Sequence, residues 1–458
     1  MNRRKLEDLG IPAGEAMKTA IRLVAQAGQK RMKKREVKRA IEALVQDPGS
    51  VPNGAHFAPL AQLLISAKQA ALAVKEQQTE APWRQWGKDI DRTASAQLAN
   101  ACRLPVARQG ALMPDGHPGF GLPIGGVLAA ENAVIPYAVG SDIACRMCLT
   151  VLDMPAADLP ARTQEMSHAL EKETLFGGSA GFVKRRGHKV LDTDWSGTKF
   201  LARLKDKAWH QLGSSGGGNH FVEFGVLSLA ESDLGLEAGQ YVALLSHSGS
   251  RGPGNRIADH YTQLARQQHP ELSPQLAYLA WLDLDSESGQ EYWQAMQLMG
   301  QYAQANHQVI HRSLLKNLRA KGLVTIENHH NFAWREEHGG RQFVVHRKGA
   351  IPAAEGQLGV IPGSMATPGY VVRGRGCAES LRSAAHGAGR RFSRQVAKNE
   401  LGWHEARELL KRKGVTLLSG SIDETPLAYK DIQEVMAAQT DLVDIVARFM
   451  PQVVKMAG

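Results

Sequence analysis

The stretch DGHPGFGLPIGGVLAA, residues 115–130, indicates the fold class of this chain. A loop with five glycines and two prolines leads directly into the apolar run Val127 to Ala130. Other short apolar runs that predict strands lie at residues 241–245, 324–326 and 343–345. Helical spacing of apolar residues occurs at 162–173, 258–267, 291–318 and 431–449. Because strands and helices do not alternate regularly, the sequence predicts an α+β fold rather than a doubly wound sheet.

The first 80 residues have a different character. Apolar residues recur at helical spacing over 15–27 and 36–45, and a third helix is predicted over 58–74. Breaks at Asp47 to Ser50 and Pro52 to Gly54 mark a linker. We therefore predict a small all-α, basic N-terminal extension over 1–80, followed by one large domain of mixed sheets and helices over 81–458.

Composition excludes several classes of protein. The chain has 458 residues, of which 43% are hydrophobic and 22% charged, which is typical of a globular protein. Four cysteines in a chain of this length do not form a disulfide framework. No apolar segment is long enough to span a membrane, and the N-terminus does not resemble a signal peptide, so we expect a cytoplasmic protein without membrane contacts.

The positive charge is concentrated at the N-terminus. Residues 1–50 carry 12 Lys and Arg against 6 Asp and Glu, whereas the whole chain has a net charge of +10. A basic segment favours polyanionic partners through counterion release. On charge alone, a nucleic-acid partner and a merely solvated basic helix are equally compatible with the sequence.

Histidines within two residues of a glycine or asparagine form the most distinctive pattern. They occur at His117, His220, His247, His330 and His386. Asp142 and Cys145 lie three residues apart, so a carboxylate, a thiolate and three imidazoles could converge on a divalent metal ion. A thiolate can also bridge two ions, an arrangement used in phosphoryl chemistry. Two alternatives are a redox pair of Cys145 with Cys148 and an incomplete dinucleotide-binding motif at 119–126.

Two loops of small residues suggest a place where backbone N–H groups approach a phosphate or a base. They are Pro362 to Met365 and His386 to Gly389. Small neighbours would leave His386 open to act as a nucleophile. Tight turns without a ligand are the alternative interpretation of both loops.

The ordered motifs together identify a family resemblance. They are DGHPGFG (115–121), VGSDIAC (139–145), GNHF (218–221), HSGSRG (247–252), His330-Asn331, KGA (348–350), PGSM (362–365) and HGAGR (386–390). The chain resembles the RtcB-type RNA ligases from about residue 82 to 443. This resemblance implies an α+β catalytic domain and the GTP-dependent joining of 2′,3′-cyclic-phosphate or 3′-phosphate RNA ends to 5′-hydroxyl ends, in RNA repair or tRNA splicing.

The resemblance also implies residue roles. His386 would be the nucleophile that becomes guanylated. Two Mn²⁺ ions would share Cys145, which would be joined by Asp142 and His220 on one side and by His247 and His330 on the other. The GTP pocket would comprise Asn219, Glu223, Asn331, Pro362, Gly363, Ser364, Met365, Gly387, Ala388, Gly389 and Lys430. Asp115 would support the metal site or the RNA end.

Some features depart from the family pattern. Arg146 replaces the glycine that usually follows the metal-binding cysteine, so a cation would bind RNA phosphate or crowd the site. The serine or threonine that is common a few residues after the PGSM motif is replaced near Thr367-Pro368-Gly369. Thr367 could take its place, but Pro368 stiffens the loop, which puts nucleotide preference in question. The alternatives to ligation are a guanylyltransferase that caps 3′-phosphate ends and a non-catalytic RNA-binding protein. A monomer is the simplest assembly, and an activating protein partner is compatible with the sequence.

Overall fold

The computed structural model describes residues 2–12, 15–51, 55–66 and 80–458. The helices are α1 Arg3–Asp8, α2 Glu15–Gln29, α3 Lys34–Gln46, α4 58–66, α5 Arg92–Cys102, α6 Pro136–Val139, α7 Leu159–Glu173, α8 Lys199–Ala202, α9 Lys205–Gln211, α10 Arg251–Gln268, α11 Glu287–Leu318, α12 Arg394–Glu400, α13 Trp403–Arg412 and α14 Ile432–Ala437. The strands are β1 Trp83–Gln85, β2 Ala107–His117, β3 Ile124–Ala130, β4 Ala133–Val134, β5 Arg146–Pro155, β6 Phe221–Leu229, β7 Gly239–Ser248, β8 Leu282–Asp283, β9 Gly322–His329, β10 Asn331–His338, β11 Arg341–Lys348, β12 Ala350–Pro352, β13 Leu358–Ile361, β14 Gly369–Gly374, β15 Ser383–Ala385, β16 Thr416–Ser419 and β17 Val443–Met456.

The larger sheet has eight strands in the order β13-β14-β17-β6-β7-β5-β9, with β16 paired to β17. Apart from the parallel β16–β17 pair, its strands are antiparallel. Alternate residues of the central strands point to opposite faces. On one face, side chains such as Leu152, Phe224 and Leu244 form a core with α7 and α11. Side chains such as Met147, Leu149 and Leu245 form a second core on the other face.

The second sheet has five strands in the order β1-β2-β3-β11-β10. A buried ion pair fixes its β10–β11 ribbon, because the fully buried guanidinium of Arg347 lies 2.6 Å and 3.0 Å from the two carboxylate oxygens of Glu336. Burial alone would raise the pKa of Glu336, but hydrogen bonds from His338 and Arg347 lower this pKa to about 2. The ribbon begins at Asn331, directly after His330.

The N-terminal helices form a module with its own core. This core includes Leu6, Met17, Ile41 and Leu60. Helix α1 attaches the module to the larger domain at the start of α11, where the Glu7 carboxylate accepts a hydrogen bond from the backbone N–H of Glu287 at 3.1 Å. A carboxylate at a helix N-terminus interacts favourably with the helix dipole. The predicted helices over 15–27 and 36–45 are confirmed, and the helix over 58–74 is confirmed as far as residue 66. The rest of that helix, the break at 52–54 and the chain from 67 to 79 lie outside the described residues.

The α+β class and the predicted strands are confirmed, but one predicted helix is wrong. Only Ile432–Ala437 is helical within 431–449, and Val443–Met456 forms β17. This strand pairs with β14 on one side and β6 on the other, so long-range backbone hydrogen bonds outweigh the local helical spacing. Among the described residues, no helix combines the length and apolarity that a membrane span requires.

Candidate functional site

The ends of four neighbouring strands bring the predicted metal ligands together. Cys145 directly precedes β5, and His220 directly precedes β6. His247 lies at the end of β7, and His330 directly follows β9. Because β6, β7, β5 and β9 are antiparallel neighbours, the start of one strand lies beside the end of the next. Distant segments of the chain therefore place their chemical groups at one edge of the larger sheet.

The distances between these side chains are at or slightly below the spacing of ligands around metal ions. Cys145 Sγ lies 3.3 Å from His220 Nε2 and 3.0 Å from His247 Nε2. His247 Nε2 lies 3.2 Å from His330 Nε2, and His220 Nε2 lies 3.0 Å from Asp142 Oδ2. Ligands that bind a tetrahedral ion at about 2.0–2.3 Å are separated by roughly 3.3–3.8 Å. Two groups of ligands result, and Cys145 belongs to both.

Two glycines are required by the close packing around these ligands. A Cβ atom at residue 249 would lie 2.3 Å from Asp142 Oδ1, and one at residue 216 would lie 1.8 Å from His220 Nδ1. Both separations are shorter than a van der Waals contact, so any larger residue would displace a predicted ligand. The alanine before the predicted bridge, Ala144, has a left-handed backbone with φ +58°. Such strain in a non-glycine residue is concentrated at functional sites.

The protonation of the histidines suits metal binding. Burial lowers the pKa of His247 to about 3 and that of His330 well below its ordinary value, so both rings are neutral at pH 7. His247 Nδ1–H donates to the carbonyl oxygen of Asn219 at 3.0 Å, which leaves a lone pair on Nε2 facing Cys145 and His330. A lone pair directed at other acceptor groups is stabilised by a cation between them. The residues present therefore fit divalent ions.

A carboxylate supports the predicted nucleophile. His386 Nδ1 lies 2.6 Å from Asp115 Oδ2, and the backbone N–H of His386 donates to the same oxygen at 3.1 Å. Because an ionised carboxylate only accepts hydrogen bonds, Nδ1 carries the proton and Nε2 carries the lone pair. The ring of His386 lies 5.0 Å from that of His330, between centroids. Asp115 thus contacts the predicted nucleophile directly, while its support of the metal site or the RNA end stays a prediction.

One cavity of about 840 Å³ joins these groups, a volume typical of small-molecule sites. Every residue that the resemblance assigned to the nucleophile, the GTP pocket or the metal ions lines it: His386; Asn219, Glu223, Asn331, Pro362, Gly363, Ser364, Met365, Gly387, Ala388, Gly389 and Lys430; and Asp142, Cys145, His220, His247 and His330. Asp115 contacts His386 but does not line the cavity. The structure thus brings together all of the predicted site residues.

Three of the predicted pocket residues have informative surroundings. Burial raises the pKa of Glu223 well above its ordinary value, which favours the neutral form of its carboxyl group. Asn331 Oδ1 accepts from the backbone N–H of Gly349 at 2.9 Å, which fixes the side-chain amide. The ammonium of Lys430 donates to backbone carbonyls, at 3.1 Å in the case of Gly116.

The departures from the family pattern have structural explanations. Arg146 does not line the cavity, because β5 directs its side chain to the α11 face of the sheet, 3.4 Å from the carbonyl oxygen of Gly300. It therefore neither crowds the predicted ligands nor faces a substrate in the cavity. The hydroxyl group of Thr367 does lie at the cavity, where it accepts from the backbone N–H of Ser364 at 2.7 Å.

Sequence reasoning missed a basic rim on the cavity. Arg390, Arg391 and Arg394 line it, as does Phe120. Arg390 and Arg394 pair with the buried Glu424. The closely spaced arginines directly after Gly389 were a signal for this rim. Arginines next to a loop of small residues that can bind phosphate predict contacts with anions.

The second cysteine of the CxxC motif belongs to a separate cluster. Cys148 lies on the α11 face with His307 and His311, and its Sγ is 3.9 Å from His311 Nδ1. The Ser246 hydroxyl group lies 2.6 Å from His307 Nδ1 and 2.8 Å from His311 Nε2. His307 Nε2–H donates to the carbonyl oxygen of Ser248 at 3.2 Å. This hydrogen-bonded network braces β7, and the separation of the two thiols into different clusters disfavours a redox pair.

Fold and site together define an α+β protein with a cluster of histidine, cysteine and carboxylate side chains that is compatible with metal binding, next to a carboxylate-supported histidine. A family model described as tRNA-splicing ligase RtcB matches residues 97–198 and 182–457. The chain is 34% identical over 397 residues to the RNA-splicing ligase RtcB of Escherichia coli strain K12, covering 80% of this chain and 95% of the relative.

Other relatives extend the comparison to distant organisms. The tRNA-splicing ligase RtcB of Nanoarchaeum equitans is 32% identical over 434 residues, covering 79% of this chain and 91% of the relative. The RNA-splicing ligase RtcB of Mycobacterium tuberculosis is 33% identical over 428 residues, covering 78% and 98%. The chain belongs to the RtcB family.

Proposed function

We propose that this protein is an RNA ligase that joins 2′,3′-cyclic-phosphate or 3′-phosphate ends to 5′-hydroxyl ends through a guanylated His386, in RNA repair or tRNA splicing. The observation that carries the proposal is the placement of His386. Its ring is held by Asp115 at 2.6 Å and lies beside His330 in the same cavity as the metal-type ligands. Membership of a family named for RNA-splicing ligases supports the same conclusion.

The divalent ions are proposed to be Mn²⁺, held on one side by Asp142, Cys145 and His220 and on the other by Cys145, His247 and His330. When bound, two such ions neutralise the charge of a triphosphate and polarise the phosphorus that is attacked. Carboxylate and imidazole ligands suit Mn²⁺, whereas the shared thiolate increases the affinity for softer ions.

The first chemical step uses the lone pair of His386. Nε2 attacks the α-phosphorus of GTP, a P–N bond forms, and the bond from that phosphorus to the β-phosphate oxygen breaks with release of pyrophosphate. Positive charge develops on the ring, and the Asp115 carboxylate at Nδ1 stabilises this charge. Covalent catalysis of this kind divides one difficult displacement into easier ones.

The nucleotide is proposed to lie between the two loops of small residues. Backbone N–H groups of Gly363, Met365 and Gly387 to Gly389 can approach its phosphates closely. Glu223 and Asn331 line the same cavity and offer polar groups to the guanine and ribose. Donors on guanine would favour the ionised form of Glu223, which burial otherwise disfavours.

Transfer to RNA follows from the same geometry. A 2′,3′-cyclic phosphate must first be opened by water, which breaks the P–O2′ bond and leaves a 2′-hydroxyl and a 3′-phosphate. An oxygen of the RNA 3′-phosphate then attacks the phosphorus on His386 and the P–N bond breaks. The 5′-hydroxyl group of the second RNA, as it loses its proton, attacks the RNA 3′-phosphorus and displaces GMP. The basic rim of Arg390, Arg391 and Arg394 offers positive charge to the phosphates of the RNA.

The domain division is part of the proposal. Residues 81–458 would carry the ligase chemistry, and the module before them would add an RNA-docking surface. All seven Lys and Arg side chains between residues 30 and 39 are exposed. Helix α1 contacts the larger domain. The basic side chains of α3 are exposed to solvent, so they can contact phosphates.

The test is labelling of the full-length protein with GTP that carries a radioactive α-phosphate, in the presence of Mn²⁺, followed by denaturing electrophoresis. The wild type and His404→Ala, which changes an exposed histidine on α13, should be labelled, whereas His386→Ala should not. The label should be lost when 3′-phosphate RNA is added, and a 5′-hydroxyl RNA should then be sealed. An adduct that persists in His386→Ala refutes the proposed nucleophile, and transfer without sealing favours end capping.

A further inference from the structure

An unusually exposed aromatic ring lies at the mouth of the cavity. Phe120 is 68% exposed, the largest exposure of an aromatic side chain among the described residues, and it lines the same cavity as His386. Apolar rings of this size are normally buried, and exposed apolar surface at a concave site marks a place where a ligand binds.

The backbone on both sides of this ring is held in place. The carbonyl oxygen of Phe120 accepts from the buried ammonium of Lys348 at 2.6 Å. The neighbouring Gly119 exchanges two hydrogen bonds with the side-chain amide of Gln97, of 2.5 Å and 3.0 Å. The exposure of the ring is therefore a feature of an anchored loop, so a ligand would meet a preorganised surface.

A second ring and a cation complete the surface. Tyr278 is 38% exposed, and its ring centroid lies 6.2 Å from that of Phe120. The guanidinium of Arg266 lies 5.2 Å from the Tyr278 ring centroid, and Tyr137 supports Tyr278 at 5.1 Å. Adjacent aromatic faces with a nearby cation are the combination that proteins use to bind single-stranded nucleic acids, because every base has a face that can stack.

We propose that Phe120 and Tyr278 form an aromatic shelf in which the Phe120 ring, supported by the Tyr278 ring tilted 54° to it, stacks an unpaired base of the RNA strand entering the cavity. The inference rests on the proposed function for the identity of its ligand. It specifies the substrate as an RNA whose terminal bases are single-stranded, since a base must leave its own stack to lie on the shelf. It also predicts tolerance of any base at that position, because stacking does not read hydrogen-bonding edges.

The test uses a short single-stranded RNA that ends in a 3′-phosphate and carries the fluorescent base 2-aminopurine at the last or the penultimate position. The RNA is titrated with full-length protein in the absence of GTP, so that binding is measured without turnover. Stacking quenches 2-aminopurine, and we expect this quenching with the wild type. Phe120→Leu keeps an apolar side chain of similar volume, removes the ring, and should abolish the quenching and weaken the Kd by roughly five- to 150-fold.

Two further variants complete the test. Phe120→Trp restores a stacking face and should bind within about threefold of the wild type. Trp209→Ala removes another exposed aromatic ring that also lies beside an arginine but does not line the cavity, and it should leave the Kd unchanged. Equal quenching by the wild type and Phe120→Leu overturns the shelf. The shelf is also overturned if Phe120→Leu is impaired only in labelling by GTP and not in RNA binding, because the ring would then contact guanine.

The same experiment separates the shelf from the ligase proposal. RNA binding without GTP does not depend on the guanylated histidine. A wild-type protein that quenches 2-aminopurine through Phe120 but forms no GTP adduct would refute the ligase chemistry and retain the shelf. A protein that is guanylated normally but stacks no base at Phe120 would refute the shelf and retain the ligase chemistry.

Discussion

Replacement of Asp115 provides a quantitative test of how His386 is activated. Its Oδ2 atom accepts from both the ring and the backbone of His386, at 2.6 Å and 3.1 Å, and the carboxyl group is fully buried. A hydrogen bond to a charged group contributes about 1.5–3 kcal/mol, against about 0.5–1.5 kcal/mol for a neutral one. Asp115→Ala removes the charged bond and should slow guanylylation by roughly 10- to 150-fold.

The asparagine variant separates orientation from charge. Asp115→Asn can still accept from His386 through its amide oxygen, so the difference between charged and neutral bonds, about 1–1.5 kcal/mol, predicts a rate loss of roughly tenfold. Its amide nitrogen would occupy the place of Oδ1, which is buried and has no hydrogen-bond partner among the described residues. Because the buried N–H groups would then lack an acceptor, we also expect a lower melting temperature for this variant.

The assay is single-turnover labelling with radioactive GTP at saturating nucleotide, quenched over a time course. Asp431→Asn serves as the control, because it neutralises an exposed carboxylate that caps α14 and asparagine caps helices equally well. If both Asp115 variants form the adduct at the wild-type rate while folded, the carboxylate does not activate His386. If the asparagine variant is slower than the alanine variant, the amide does not accept from His386, and the tautomer with the proton on Nδ1 is incorrect.

Three further predictions concern the metal centre, the fold and the RNA. After loading with Mn²⁺ or Co²⁺ and desalting, the wild type and Cys148→Ser should each retain two ions by elemental analysis. Cys145→Ala should lose affinity for both ions because both ligand groups share this thiol. Retention of two ions by Cys145→Ala would contradict a bridging thiolate. Glu336→Gln should lower the free energy of unfolding by about 3 kcal/mol because it leaves a buried guanidinium without its charged partner. The control Glu337→Gln changes an exposed residue. In thermal melts, the difference in stability between wild type and Glu336→Gln should be full above pH 4.5 and should shrink towards pH 2, where Glu336 becomes protonated. Equal melting temperatures of Glu336→Gln and Glu337→Gln at pH 7 would refute the prediction. Replacing the four cations of 34–39 by glutamine should reduce the slope of log affinity against log salt by about 3, and an unchanged slope would show that α3 does not touch RNA.

Several features of the protein were accessible from its sequence because they depend on local pattern. The helices over 15–29 and 287–318 follow from the spacing of apolar residues, and the strands at 124–130 and 239–248 from compact apolar runs beside glycine-rich loops. The chemical identity of the site was accessible for a similar reason. A carboxylate, a thiolate and several loop histidines have few structural uses as a set, and their order along the chain matches one family.

Other features depended on contacts between distant segments. The helix predicted over 431–449 includes the first half of β17, because local apolar spacing does not report the strand's backbone partners. These partners, β14 and β6, lie far away along the chain. The role of Asp115 required the approach of residues 271 positions apart. The direction of Arg146 depended on the register of β5, since a shift of one residue would turn its side chain from α11 to the cavity.

The sequence by itself therefore determined the α+β class, the basic N-terminal helices and the types of residue that the chemistry requires. Only the tertiary structure decided that Asp115 touches His386, that Arg146 faces α11, and that the exposed ring of Phe120 lies beside Tyr278. The physical reason is that local periodicity reports which face of an element is buried, whereas the meeting of faces depends on strand pairing and packing over the whole chain.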